Sequence, residues 1–344
     1  MIGMLFPIWK GSIVFYESIL PLRNNAGVID DIPLLYSVDE ITDVISATYQ
    51  YRYIEGHDYT IVDGKMHIPK TSTIPALLDS EDYPKFPIPD ASFPKLGGGN
   101  VLFDNESFFH EHQTLVTYRH HDKWQWQIPA DKSNLLPGLR KILQNALPLK
   151  IVFFGDSISA GYNSSSFVFV PPYMPDWCSM TCLVLEQVYG SKITSIRSAE
   201  NGTDSQWGVK NARERVTQHR PDLLILGYGM NDRDRNPDEF IDNIQSIIAA
   251  ARKGNPSCET VLISTMLPNK EAEGFFVNQM KYESYLLSLE QEGVAVCNLT
   301  QVHEMLLRRK AYRDMTGNNI NHPNDYLSRV YAQTLLATLG VQLM

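Results

Sequence analysis

Four residues of this chain have types that nucleophilic chemistry uses, and each stands in a short run of turn-forming residues. Ser157 lies in GDSI (155–158), straight after the apolar run 151–154; Gly202 lies in NGTDS (201–205), Asn231 in GMND (229–232) and His322 in NHPN (321–324). A hydroxyl beside an imidazole is the pairing of nucleophilic catalysis, the base taking the hydroxyl proton as the oxygen attacks. Each residue alone has a plainer reading. Ser157 can cap the helix that follows it, Asn231-Asp232 can open a turn or a helix, and His322 before Pro323 can be an ordinary loop residue. The choice depends on whether the fold brings the four together.

From residue 150 onward strands and helices alternate. Strand-like runs at 151–154, 193–196, 223–226, 260–264 and 295–298 are separated by helical patterns near 177–189, 209–218, 237–252 and 278–292, and a last helix is expected at 325–339. Such alternation predicts a parallel sheet with helices on both faces, and reactive groups then collect beyond the carboxyl ends of the strands. Ser157 follows the first of these strands, Gly202 the second and Asn231 the third, while His322 precedes the last helix. Upstream the pattern differs. Alternating, aromatic-rich runs at 13–16, 47–53 and 101–103, and Asp63-Gly64 between two strand-like runs, predict an all-β sandwich over residues 1–133. Prolines and the Gly97-Gly98-Gly99 run mark 69–100 as loop. Leucines and an isoleucine at helical spacing predict a connecting helix over 134–149, closed by Pro148.

The blocks GDSI, NGTDS, GMND and NHPN, in that order, resemble the four signature blocks of the SGNH, or GDSL, hydrolase superfamily, over about residues 150–344. The resemblance implies a flavodoxin-like three-layer α/β/α catalytic domain with Ser157 as nucleophile and His322 as base. It also implies an oxyanion hole made of the Ser157 and Gly202 backbone N–H groups and the Asn231 side-chain amide. Each such donor contributes on the order of 3 kcal/mol to lowering the barrier. A glycine at 202 suits this role because it lacks the Cβ that would hold an acyl group away. The serine is not in the GxSxG elbow of α/β-hydrolases, since Ser159 stands where the second glycine would be.

One block departs from the family pattern. The family places Asp three residues before the histidine, and here that position is Asn319. An amide accepts a hydrogen bond from the imidazole but supplies no charge, and the comparable change in serine proteases costs about 10^4 in turnover. Three readings follow: a Ser157–His322 dyad with a backbone carbonyl orienting the ring, an acid supplied from elsewhere with Asp314 the nearest, or a weakened site. The dyad is favoured, the other blocks being intact.

The layout resembles bacterial carbohydrate esterases, acetyl xylan esterases among them, in which a jelly-roll-like β-sandwich precedes the catalytic module. It implies removal of a short acyl group, acetyl foremost, from a sugar hydroxyl through an acyl-Ser157 intermediate, with no metal or organic cofactor. The partner is then a small-molecule or oligosaccharide ester. Tyr173, Trp177 and Trp207 are core residues or a sugar-stacking platform at the mouth. The alternatives are a lipase, thioesterase or O-acyltransferase using the same groups, or an inert glycan-binding protein. His110, His112, His120 and His121 could ligate a metal across a hairpin, but a solvated polar strand face is the preferred reading. Cys178, Cys182, Cys258 and Cys297 form no CxxC pair and read as buried thiols of a reducing compartment. A net charge of -9 without a basic cluster argues against nucleic acid. No apolar run reaches the roughly 20 residues of a membrane span. The opening stretch lacks a basic n-region and is broken by Pro7 and Lys10, which predicts a cytoplasmic protein; a homo-oligomer is compatible with all of this.

Overall fold

The computed structural model describes residues 5–342. The first four and last two positions of the two expected regions lie outside the described residues. The N-terminal region contains β1 (Ile13–Ile19), β2 (Leu22–Arg23), β3 (Glu40–Ser46), β4 (Thr60–Val62), β5 (Lys65–His67), β6 (Leu77–Leu78), α1 (Asp79–Asp82), β7 (Ser92–Pro94), β8 (Asn100–Leu102), α2 (Phe108–His112) and β9 (Thr114–Arg119). Instead of two stacked sheets, the described residues form one three-stranded antiparallel sheet, ordered β1-β9-β3. The remaining strands pair only in twos: β2 with β6, β4 with β5, β7 with β8. Around β6 and β7, six prolines in 69–94 remove N–H groups that a longer ladder needs. The hairpin expected at Asp63-Gly64 forms between β4 and β5, with both turn residues at positive φ (47° and 73°).

The second region runs through α3 (Pro137–Gln144), β10 (Leu149–Gly155), α4 (Ser157–Ala160), α5 (Trp177–Tyr189), β11 (Ile193–Arg197), α6 (Ser205–Arg215), β12 (Leu223–Gly227), α7 (Pro237–Gly254), β13 (Glu259–Ile263), α8 (Gln279–Leu287), β14 (Val294–Cys297), α9 (Leu299–Leu306) and α10 (Asp325–Thr338). The strands form a five-stranded parallel sheet in the order β11-β10-β12-β13-β14. Side chains alternate between its faces as a pleated strand requires. Ile151 and Phe153 join one core with α5, α9 and α10, whereas Val152 and Phe154 join the other with α6, α7 and α8. Helix starts are set by side-chain caps: Asp176 for α5, Asp204 for α6, Asn236 for α7 and Asn324 for α10. Helix α9, absent from the sequence reading, is capped in the same way by Asn298.

The change of secondary-structure type near residue 134 is no gap in packing. One hydrophobic cluster extends from Leu5, Val14 and Ile19 through Val116 and Tyr118 to Leu335 and Leu336. Thirteen of the fourteen residues of α10 are buried, because the sheet covers one side of this helix and the N-terminal region the other. Its polar residues face that region: Arg329 donates to the Phe15 and Tyr16 carbonyls, and Gln333 donates to the Phe6 carbonyl and accepts from Ile8 N–H. A bulge in β1, with Tyr16 at φ +50°, sets the register so that Glu17 points inward. Its carboxylate accepts from Lys310 Nζ (2.7 Å), Tyr118 Oη (2.7 Å) and the Leu35 N–H.

Because the Lys310 and Glu17 side chains are 1% and 0% exposed, removing one strands the other in the interior. Lys310→Ala is expected to lower the unfolding free energy by about 3–5 kcal/mol, read from urea denaturation of the whole chain. A shift below about 1 kcal/mol, in the range of exposed pairs, would contradict this account.

Candidate active site

The turn after β10 is built residue by residue. A Cβ on Gly155 would lie 2.2 Å from the Gly227 carbonyl oxygen, so only glycine lets β10 and β12 come this close at their carboxyl ends. Asp156 caps α4 by accepting the Ile158 N–H (3.0 Å), and Gly161 ends that single turn at φ +88°. Ser157 is thereby fixed at the first position of the helix. Asp156 is enclosed, and burial together with the nearby Asp232 carboxylate pushes its pKa up to about 7.

The other strand ends lie alongside. Gly202 follows β11 and has φ +70°, and a Cβ there would meet no protein atom within 4 Å; its need for glycine within the folded chain is therefore conformational. Asn231 follows β12 and donates one side-chain N–H to the Thr203 carbonyl (2.9 Å), which joins the two loops. Asp232 reinforces the join. Its carboxylate accepts the Ser205 N–H and hydroxyl and pairs with Arg235, whose guanidinium also reaches Asp204.

His322 reaches this corner from the loop before α10. Asn318 Oδ1 accepts the N–H groups of Ile320, Asn321 and His322, each at 3.0 Å, and so shapes the loop. His322 Nε2 lies 2.8 Å from Ser157 Oγ, and Nδ1 lies 2.6 Å from Asn163 Oδ1. The amide of Asn163 is oriented by its other end: Nδ2 faces the carbonyls of Asn105 (3.2 Å) and Gly317 (3.5 Å), which can only accept. Oδ1 is therefore the atom toward the ring, Nδ1 carries the proton, and Nε2 is the bare acceptor for the Ser157 hydroxyl. No charge accompanies this arrangement. Burial pushes the His322 pKa down to about 3, and Tyr162 packs edge-on against the imidazole (5.7 Å between centroids).

Neither residue expected to orient the histidine does so. Asn319, at φ +61°, turns its Nδ2 to Asp82 Oδ1 (3.1 Å) and the Leu102 carbonyl (3.2 Å). An aspartate there would set two carboxylates against each other in the interior, where burial already pushes the Asp82 pKa up to about 6. Asp314 accepts the N–H groups of Leu20 and Ala311. The backbone carbonyl of the dyad reading is likewise replaced, by a side-chain amide. Asn163 escaped the sequence reading; its only signal was an asparagine just past the glycine that ends α4, where left-handed φ is tolerated.

The aromatic trio divides. Trp177 is 1% exposed, donates Nε1–H to the Ile158 carbonyl and packs on Phe153 and Tyr331, so it belongs to the core. Trp207 is half-buried against Phe154 with the Arg215 guanidinium over its ring. Tyr173 alone is well exposed, in the loop between α4 and α5 that also carries exposed Phe167 and Phe169. The histidines do not share a strand face. His110 and His112 lie on α2, His120 stacks on Tyr36, and His121 pairs with Asp39. The four cysteines are buried and unpaired.

A parallel sheet in this order, with Ser157, Gly202 and Asn231 beyond three adjacent strands and His322 before the last helix, is the SGNH hydrolase fold. The chain belongs to the GDSL-like lipase/acylhydrolase family, which matches residues 153–329, and with it to the carboxylic ester hydrolases. An arylesterase of Vibrio mimicus is 25% identical over 147 residues, 42% of this chain and 68% of that protein. Among solved structures, a two-domain esterase active on acetylated mannans is 20% identical with a TM-score of 0.48 over 60% of this chain, which spans 53% of that one. An acetylxylan esterase from Geobacillus stearothermophilus is 16% identical with a TM-score of 0.48, covering 58% of this chain and 98% of its own.

The pKa of His322 gives a signed expectation. A base must be unprotonated to accept the Ser157 proton, so a pKa near 3 keeps it competent well below pH 6. Asn163→Asp sets a carboxylate on Nδ1 and is expected to raise that pKa by about 1–3 units. The acidic limb of the fluorophosphonate labelling rate then moves to higher pH by the same amount; an unmoved limb would show that residue 163 does not govern the imidazole.

Proposed function

We propose that the protein is a serine esterase that removes short acyl groups, acetyl foremost, from carbohydrate esters. The observation that carries the proposal is the hydrogen-bonded series Ser157 Oγ, His322 Nε2, His322 Nδ1, Asn163 Oδ1, at 2.8 and 2.6 Å. Ser157 is 2% exposed, which favours a small acyl group over a long chain. Tyr173 offers an exposed aromatic surface for a sugar ring, while Phe167 packs on Tyr162, which packs edge-on against His322.

In this mechanism Ser157 Oγ attacks the ester carbonyl carbon as its proton passes to His322 Nε2. The oxyanion of the tetrahedral intermediate is received by the Ser157 and Gly202 N–H groups and the free amide hydrogen of Asn231. Collapse breaks the bond to the sugar oxygen, which takes the proton from His322 and leaves as the free hydroxyl. Water then gives a proton to His322 Nε2 and attacks the acyl-Ser157 carbonyl. Collapse of the second intermediate returns that proton to Ser157 Oγ and releases the carboxylic acid. Asn163 keeps Nε2 available for each transfer by holding the Nδ1–H tautomer.

Ser157→Ala is expected to abolish both fluorophosphonate labelling and hydrolysis of p-nitrophenyl acetate. Asn231→Ala should lower kcat by about 10^2- to 10^3-fold. The unaltered protein should prefer acetyl to octanoyl esters and release acetate from acetylated oligosaccharides. Preference for the octanoyl ester would indicate a lipase, and failure of Ser157 to label would indicate an inert scaffold.

A further inference from the structure

We propose that the N-terminal region is part of the catalytic apparatus, with His110 as the positioning residue that holds Asn163, and through it His322, in line with Ser157. The proposal rests on the acyl-serine reading above. His110 is on α2, is 1% exposed, and its Nε2 lies 2.7 Å from the backbone carbonyl oxygen of Asn163. A carbonyl only accepts, so Nε2 carries a proton and donates it. The four groups then form one directed series: His110 N–H to the Asn163 backbone, Asn163 Oδ1 from His322 Nδ1–H, and His322 Nε2 from the Ser157 hydroxyl.

Asn163 needs such support. It stands at φ +57°, outside any helix or strand, in the loop between α4 and α5. Its packing leaves no slack: a Cβ on Gly317 would lie 2.7 Å from Asn163 Cβ and 2.8 Å from its carbonyl oxygen. An amide in this role is also less forgiving than a carboxylate. A carboxylate presents an acceptor at either oxygen and adds Coulombic attraction, whereas an amide turned over presents N–H to Nδ1 and drives the proton to Nε2, where the ring can no longer take one from serine. The Asn105 carbonyl opposes that turn from the N-terminal side, as His110 fixes the backbone.

The same short stretch grips the loop of His322. Gln113, directly after α2, donates to the carbonyls of Arg313 and Thr316, both at 2.8 Å, and accepts from Asn324 Nδ2 at 2.9 Å. Residues 110–113 thus set the loop of Asn163 and the loop of His322 against one reference. A role in packing alone would be met by an apolar side chain at 110; the imidazole donor, 2.7 Å from the Asn163 carbonyl beside His322, is what points to positioning.

The test uses the full chain with p-nitrophenyl acetate, active sites being titrated with fluorophosphonate so that kcat refers to folded protein. His110→Phe is expected to lower kcat about 10^2-fold, the loss that follows a misplacement of about 1 Å, with KM little changed. His110→Gln, whose amide N–H reaches the same point, should restore most of the rate. In an Asn163→Ala background His110→Phe should add less than about a twofold loss, because coupled residues are non-additive. If the phenylalanine variant does not fold, His110→Asn, too short to reach the carbonyl, takes its place against His110→Gln. An unchanged kcat in His110→Phe or His110→Asn, or losses that multiply in the double variant, would overturn the proposal while Ser157→Ala remains inactive. Activity surviving in Ser157→Ala would instead overturn the acyl-serine reading itself.

Discussion

A neutral hydrogen bond, from the His322 ring to the Asn163 side chain, sets the tautomer of the imidazole on which the site depends. It fixes which ring nitrogen is bare, and so makes the Ser157 hydroxyl the donor in their contact. An amide carries no charge to stabilise a protonated ring, so under the proposed mechanism the oxyanion donors would carry a larger share of the barrier. The hydrogen bond has a geometric requirement. An amide works in one orientation only, and the carbonyls of Asn105 and Gly317 are what select it.

The fold delivers these groups by different routes. Ser157, Gly202 and Asn231 belong to loops at the ends of three neighbouring parallel strands, and the sheet alone brings them together. His322 and Asn163 do not. Each is held from the far side by the N-terminal region, through Gln113 for the first and His110 and Asn105 for the second. Asn319 makes the same point from the opposite direction. Placed where a carboxylate would be expected, it ties the histidine loop to Asp82 instead.

These routes explain how much could be read from the chain. The placement of Ser157, Gly202 and Asn231 at strand ends was legible, because an apolar strand and a turn motif are both local patterns. The parallel sheet and most of its helices were legible for the same reason. Asn163 was not, since its role depends on a histidine 159 positions away, and no spacing rule connects them. His110 was read as part of a polar strand face, because period-two histidines suggest a strand, whereas tertiary packing makes the segment a helix with His110 inside. The expected sandwich is reduced to one three-stranded sheet and strand pairs, and in the proline-rich stretch β6 and β7 are only two and three residues long. Trp177, read as either core or a sugar-stacking platform, is core: Asp176 caps the expected helix there and the indole turns inward.

The burial of α10 bears on how such a protein could have been assembled. Accessory modules of hydrolases are commonly tethered by pliable linkers and can be gained, lost or exchanged without disturbing the chemistry. Here the helix that follows His322 is the common wall of both halves, with the Arg329 and Gln333 side chains seated in the backbone of the other. The two halves therefore share one wall, and a substitution on either side of it alters the packing of both.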